Sequence, residues 1–147
     1  MAKSARTRLL VLDDVSRVLE IEAKISNPSK PVFDIDLEAT CRWVIPMGDS
    51  LAIEIDGRLI GFVLGHVRSG DFGLKGKTGW FSVIAVDPEY QGQGYGFRLG
   101  TELLERFKKK GASKVQTMLR WNQGDLITYL SALGFEKSPL VVVEKKL

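Results

Sequence analysis

The sequence predicts an α/β fold, one mixed sheet with flanking helices, and three observations carry the prediction. Apolar runs of strand length at 51–55 and 59–67 flank Asp56-Gly57, the composition of a tight hairpin turn. A third strand-like run at 80–86 stops at Asp87-Pro88. After a glycine cluster it gives way to a helix over 94–110 in which Leu99, Leu103, Leu104 and Phe107 share one face. A further strand over 114–121 follows, so the middle of the chain is a β-α-β crossover.

The remaining elements follow in order. Residues 7–12 read as a first strand, and Asp13 or Asp14 caps a helix through Val18, Ile21, Glu22 and Ile25. Asn27-Pro28-Ser29-Lys30-Pro31 forces a loop, and a second helix spans about 35–44. The glycine-rich stretch 70–79 joins the hairpin to the strand at 80–86. On the long helix, Arg98, Glu102, Glu105 and Arg106 face away from the apolar stripe. Lys108, Lys109 and Lys110 sit at the negative end of its dipole, and Gly111 stops it. Asn122, with Asp125 three residues later, caps a helix running to about 133, which Gly134-Phe135 ends; 140–145 is a last strand. The predicted order is β-α-α-β-β-β-α-β-α-β, in a single domain over 1–147.

Composition bounds the function. Of 147 residues, 44% are hydrophobic and 27% charged, which excludes a largely disordered chain. No apolar run reaches membrane-span length, and the first residues lack a signal-peptide core, so neither membrane insertion nor secretion is expected. The single cysteine, Cys41, cannot form an internal disulfide, which agrees with a reducing cytoplasm. One Cys and one His exclude a zinc site of the usual kind, and no metal is expected. The net charge of +3 is spread along the chain, which indicates no nucleic-acid surface and suits a small polyanion.

The most informative stretch is Ile84-Ala85-Val86-Asp87-Pro88-Glu89-Tyr90-Gln91-Gly92-Gln93-Gly94-Tyr95-Gly96. A strand ends at proline, and three glycines at alternate positions open a helix. The N–H groups of a first helical turn have no intrahelical partner and carry partial positive charge, so they attract phosphate. Glycine lets the backbone approach a pyrophosphate where a Cβ would collide. The dinucleotide pattern G-x-G-x-x-G fails, because Phe97 and Leu99 stand where glycine is needed. Gly76-Lys77-Thr78 resembles the end of a P-loop, but Asp71 replaces the first glycine and a strand follows instead of a helix. Asp71-Phe72-Gly73 spells the kinase metal-binding triplet without any catalytic-loop motif.

Gln91-Gly92-Gln93-Gly94-Tyr95-Gly96 resembles the Q/R-x-x-G-x-G/A motif of the GNAT N-acetyltransferases. The flanking strand end, the helix after it, and the later strand, capped helix and Gly134-Phe135 pair resemble the family over 80–147; the first half matches in element order. The resemblance implies the GNAT fold, with its fourth and fifth strands splayed and coenzyme A in the gap. It implies that backbone groups of Ile84, Ala85 and Val86 pair with the pantetheine arm. It also implies that Gln91, Gly92, Gln93, Gly94, Tyr95, Gly96 and Phe97 hold the pyrophosphate. A backbone N–H near Ile84 would polarise the thioester carbonyl.

The chemical half departs from the family pattern. The tyrosine many members place four residues before the Gly-Phe pair is Leu130 here, with Tyr129 one residue earlier. The glutamate that some carry on the fifth strand falls at about Leu119. The frequent asparagine near the next helix start falls at Gly124, with Asn122 two residues away; Asn122 is taken with the cofactor set. Tyr129 is the candidate acid and Glu54 the candidate base, with Glu22, Asp34 or Asp36 as other carboxylates near the expected acceptor cleft. His66 reads as structural, Cys41 as a buried thiol, and Phe33, Trp43 and Trp121 as core or cleft lining. The resemblance therefore implies an acetyl-CoA-dependent N-acetyltransferase acting by direct attack of an amine, small molecule or protein, with a homodimer allowed. The alternative is a non-catalytic acyl-CoA-binding module.

Overall fold

The computed structural model describes residues 4–26, 35–120 and 122–147, with Phe72 by its backbone alone. The loop expected at 27–31, together with Phe33, Asp34 and Trp121, lies outside the described residues. The strands are β1 (Ala5–Leu9), β2 (Leu51–Ile55), β3 (Arg58–Ser69), β4 (Lys77–Val86) and β5 (Ala112–Gln116). The helices are α1 (Val15–Ile25), α2 (Leu37–Val44), α3 (Tyr95–Lys109) and α4 (Gly124–Ala132). The strands lie side by side in chain order, antiparallel except for the parallel pair β4–β5.

Local chemistry explains most of these boundaries. Asp36 is extended at the N-cap of α2, and its Oδ1 accepts the N–H of Ala39 at 3.0 Å. Asp56 and Gly57 both adopt positive φ, 51° and 76°, which the two-residue turn between β2 and β3 requires. Helices cover both sheet faces. On one, Val18 and Ile21 of α1 and Cys41 and Val44 of α2 pack on Phe62 and Leu64. On the other, Leu99, Leu103 and Phe107 of α3 pack on Ile53, Ile60, Val63 and Phe81. The Phe107 ring lies flat on two strand glycines: a Cβ at Gly65 would sit 2.7 Å from its Cζ, and one at Gly79 would also meet the ring.

Two predicted elements differ at the C-terminal end. The strand expected over 114–121 is β5, which begins and ends earlier. The last strand expected over 140–145 is absent: those residues carry no regular structure, and Val141, Val142 and Val143 are largely exposed. Asn122 is not the cap of α4 either. The helix begins at Gly124 after Gln123, whose side-chain Oε1 accepts the N–H of Arg120 at 2.8 Å and closes the preceding turn.

One irregularity positions the site. Leu64 faces Val83 and Gly65 faces Phe81, so Ser82 is an extra residue on β4. Such a bulge bends its strand and increases the twist. Pairing with β5 has already ended at Trp80–Gln116. From Phe81 to Val86, β4 is paired only with β3, and its other edge is open. This is the splay the family resemblance implies.

Candidate functional site

The open edge of β4 forms one wall of a cleft of about 390 Å³. Ile84, Ala85 and Val86 line this wall; the loop residues Tyr90, Gln91, Gly92 and Gly94 and the helix start Tyr95 and Gly96 form the end. Asp125, Leu126 and Tyr129 of α4 stand opposite, and Ile25 closes one side. Of the residues singled out as cofactor-binding, Gln93, Phe97 and Asn122 do not line it. Ile25, Tyr90, Asp125 and Leu126, all outside the expected cofactor set, do.

The loop end of the cleft is built by glycine. Gly92 and Gly94 have φ of 79° and 85°, and a Cβ at either would meet no protein atom within 4 Å. The space such carbons would fill is therefore open. Gly94 is the N-cap of α3, and its carbonyl accepts the N–H of Arg98 at 3.0 Å. The N–H groups before Arg98 in that turn are left for a ligand. Gln91 bends back, its side-chain amide donating to the Val86 carbonyl at 3.0 Å, and so clamps the loop to the strand end. A pyrophosphate fits this cradle of glycines, free N–H groups and helix dipole.

Asp87 anchors the loop from below. Its side chain has no solvent exposure and accepts from Arg17 Nη2 at 2.8 Å, Lys24 Nζ at 2.9 Å and the Glu89 N–H at 3.1 Å. Burial alone would raise its pKa, but the hydrogen bonds from Lys24, Arg17 and the Glu89 N–H outweigh that and hold it at about 2.

The candidate catalysts are not together. Tyr129 lines the cleft, but its hydroxyl donates to the Gly96 carbonyl at 2.8 Å, on the first turn of α3, and burial pushes its pKa above the ordinary tyrosine value. Its hydroxyl also covers Gly100, where a Cβ would strike it, so Tyr129 binds α4 to α3. Glu54 lies outside the cleft lining. Arg8 Nε donates to it at 2.8 Å and Arg6 approaches at 3.1 Å, and the Arg8 hydrogen bond above all keeps its pKa low. Asp36 is committed as a helix cap. His66 is buried edge-on to Trp43, with ring centroids 5.0 Å apart, and burial followed by the charge of Arg68 lowers its pKa. Burial pushes the Cys41 thiol up to about 11, far from a reactive thiolate.

A five-stranded sheet thus opens at its parallel pair onto a glycine-lined helix start. The Acetyltransferase (GNAT) family model matches residues 15–135, and the chain belongs to that family. An acetyltransferase of Yersinia pestis (strain Pestoides F) is 26% identical over 97 residues, covering 66% of this chain and 64% of the relative, so the chain spans under two thirds of that protein. The L-2,4-diaminobutyric acid acetyltransferase of Nocardia farcinica is 32% identical over 72 residues, 49% of this chain and 35% of the relative. Among solved structures, the aminoglycoside N-acetyltransferase AAC(6')-Iy in complex with CoA has the same fold, with a TM-score of 0.75, 19% identity, and coverage of 99% of this chain and 97% of that one. Among the described residues no helix is long and apolar enough to cross a membrane.

Proposed function

We propose that the protein transfers the acetyl group of acetyl-CoA to a primary amine by direct attack, without a covalent enzyme intermediate. The observation that carries this reading is the coincidence of the open β4 edge with the glycine cradle in one cleft, in a chain of this family. When bound, acetyl-CoA supplies an activated thioester. The N–H groups from Gly92 to Phe97 hold its pyrophosphate. Backbone groups of Ile84, Ala85 and Val86 on this strand align its pantetheine arm as an added strand would, and a backbone N–H near Ile84 polarises the carbonyl. Orienting amine and thioester together is worth several kcal/mol of barrier. The base is solvent water, because Glu54 is held by Arg8 and Arg6. Two of the compared proteins are named for diaminobutyric acid and for aminoglycosides, which supports an amine acceptor. The lone, buried Cys41 fits a cytoplasmic protein.

Thiol release from acetyl-CoA over a panel of small amines and peptides tests the reading; binding without release from any of them would favour the acyl-CoA-binding module instead. Acetyl-CoA should also raise the melting temperature through mass action, whereas pantetheine, which lacks the pyrophosphate, should do far less. Equal shifts from the two would remove the phosphate role of residues 91–97.

Tyr129→Phe should change turnover by only a few-fold. Its hydroxyl lies on the first turn of α3 at the phosphate end, whereas the thioester would lie at Ile84. A general acid would cost about 10²–10⁴ in rate when lost. Steady-state kinetics with any working acceptor decide the matter: a hundredfold fall with coenzyme A affinity intact would make Tyr129 the acid.

A further inference from the structure

We infer that the closed end of the sheet carries a second anion site, separate from the cleft, whose ligand is a phosphate-type dianion. A cavity of about 280 Å³ opens there, between the end of β3, the start of β4 and the C-terminal end of α3. A water takes about 30 Å³ of liquid volume, so the cavity has room for a phosphate-sized ion. Lys77 lines it, whereas Val86 at the other end of β4 lines the cleft. That length of strand sets the two roughly 30 Å apart. The two motifs that the cleft does not use, Gly76-Lys77-Thr78 and Asp71-Phe72-Gly73, both lie at this end.

Charge selects the sign of the ligand. Arg68, Lys77 and Lys110 line the cavity against one carboxylate, Asp49, a formal surplus of two positive charges. In a chain of net charge +3 this is a concentrated field, and it favours a dianion over a monocarboxylate. Asp49 is already committed. Its side chain is 4% exposed and is held by Arg106 Nε at 3.3 Å and by Lys110 Nζ, so it fixes these cations in place. Lys77 Nζ donates to the Lys110 carbonyl at 3.3 Å, which offsets the negative end of α3. Ser69 adds a hydroxyl to the lining.

Arg68 supplies the shape. Its Nε donates to Asp71 Oδ2 at 2.8 Å, and the same oxygen accepts from Trp80 Nε1 at 2.9 Å. Its guanidinium carbon lies 5.0 Å from the centre of the Trp80 ring. Gly70, at a φ of 78°, turns the chain so that Asp71 reaches back to Arg68. Carboxylate and indole thus hold the guanidinium plane, while Nη1 and Nη2 take no other partner among the described residues. A planar fork held in this way matches two oxygens of a phosphate, and little side-chain freedom remains to be lost on binding.

Isothermal titration of the full chain with inorganic phosphate tests the site, at constant ionic strength, about pH 8 where the dianion dominates, and with coenzyme A saturating the cleft. One binding event per chain is expected. Arg68→Gln should weaken it at least about tenfold, as should Lys77→Gln on an exposed side chain, whereas Lys114→Gln on β5, outside the cavity, should leave it unchanged. Glycerol phosphate binding at least as tightly would make a phosphate monoester the source of the ligand; inorganic phosphate binding about tenfold tighter would make it the free ion. Amide chemical shifts should move at Arg68, Ser69 and Lys77 and stay fixed over residues 91–97. Shifts confined to residues 91–97, or competition with coenzyme A, would put the phosphate in the glycine loop and overturn the inference. So would chloride acting as well as phosphate, no binding at all, or both Arg68→Gln and Lys77→Gln within about twofold of wild type. A failure of coenzyme A to bind would bear on the cleft alone, because the shifts at residues 68–77 are read without it.

Discussion

Asp87→Asn is expected to cost about 3–5 kcal/mol of folding stability, the range seen when one partner of a buried ion pair is removed. The carboxylate has no solvent exposure and takes hydrogen bonds from two cations of α1 and from the Glu89 N–H. Asparagine keeps the volume but leaves Arg17, itself 16% exposed, facing a neutral amide. Lys24, at 36%, escapes to water more readily, so Arg17 carries most of the loss. Arg17 is tied further by its Nε, which donates to the Leu59 carbonyl at 2.9 Å. Because the folded pKa of Asp87, about 2, lies below its ordinary value of 3.8, the ion pair stabilises fully above the ordinary value. That contribution is lost as pH falls from there toward about 2. Urea unfolding of wild type and variant across this range checks both statements: the gap at neutral pH should shrink in acid. A variant within about 1 kcal/mol of wild type at neutral pH would mean that Arg17 is re-solvated at little cost.

The parts of the fold that were legible are those whose cause is local. The Asp56-Gly57 turn and the glycine stop after the lysines of α3 each depend on residues within a few positions. The cleft was legible for the same reason, since a strand end, a proline and spaced glycines lie within a dozen residues. What the sequence did not reveal depends on distant partners. Glu54 looks like a free carboxylate until β1 pairs with β2 and sets Arg6 opposite it and Arg8 two residues on. Asp87 looks like a turn residue until α1 packs across the end of β4 and brings Arg17 and Lys24 to it from 70 and 63 positions away. Ser82 carries no local sign of a bulge; the slip appears only in the pairing of β3 with β4. The short β5 and the unpaired tail are the same lesson at larger scale, because a strand's ends are decided by what lies beside it.

Gly94→Val should raise the dissociation constant for coenzyme A by at least about 100-fold, or ~2.7 kcal/mol. Two effects act together. Gly94 has φ of 85°, a conformation that costs a branched residue about 1–3 kcal/mol, so the loop either holds its shape under strain or relaxes away from it. The protein itself offers no obstacle: no atom lies within 4 Å of the position a Cβ would take. Gly94 lines the cleft, so on the proposed reading an isopropyl group there would displace the pyrophosphate and not a side chain. Gly94→Ala separates the two terms, because it carries backbone strain with far less bulk and should lose less affinity. Binding of pantetheine, which does not reach the cradle, should be nearly unchanged in both variants. Isothermal titration with coenzyme A and pantetheine measures all four values. If Gly94→Val bound coenzyme A within about threefold of wild type, the pyrophosphate would lie elsewhere on the protein, and the helix start would lose its role. If pantetheine binding fell as steeply as coenzyme A binding, the valine would be acting through a distorted β4 edge, and the cradle and the strand edge would have to be treated as one mechanical unit.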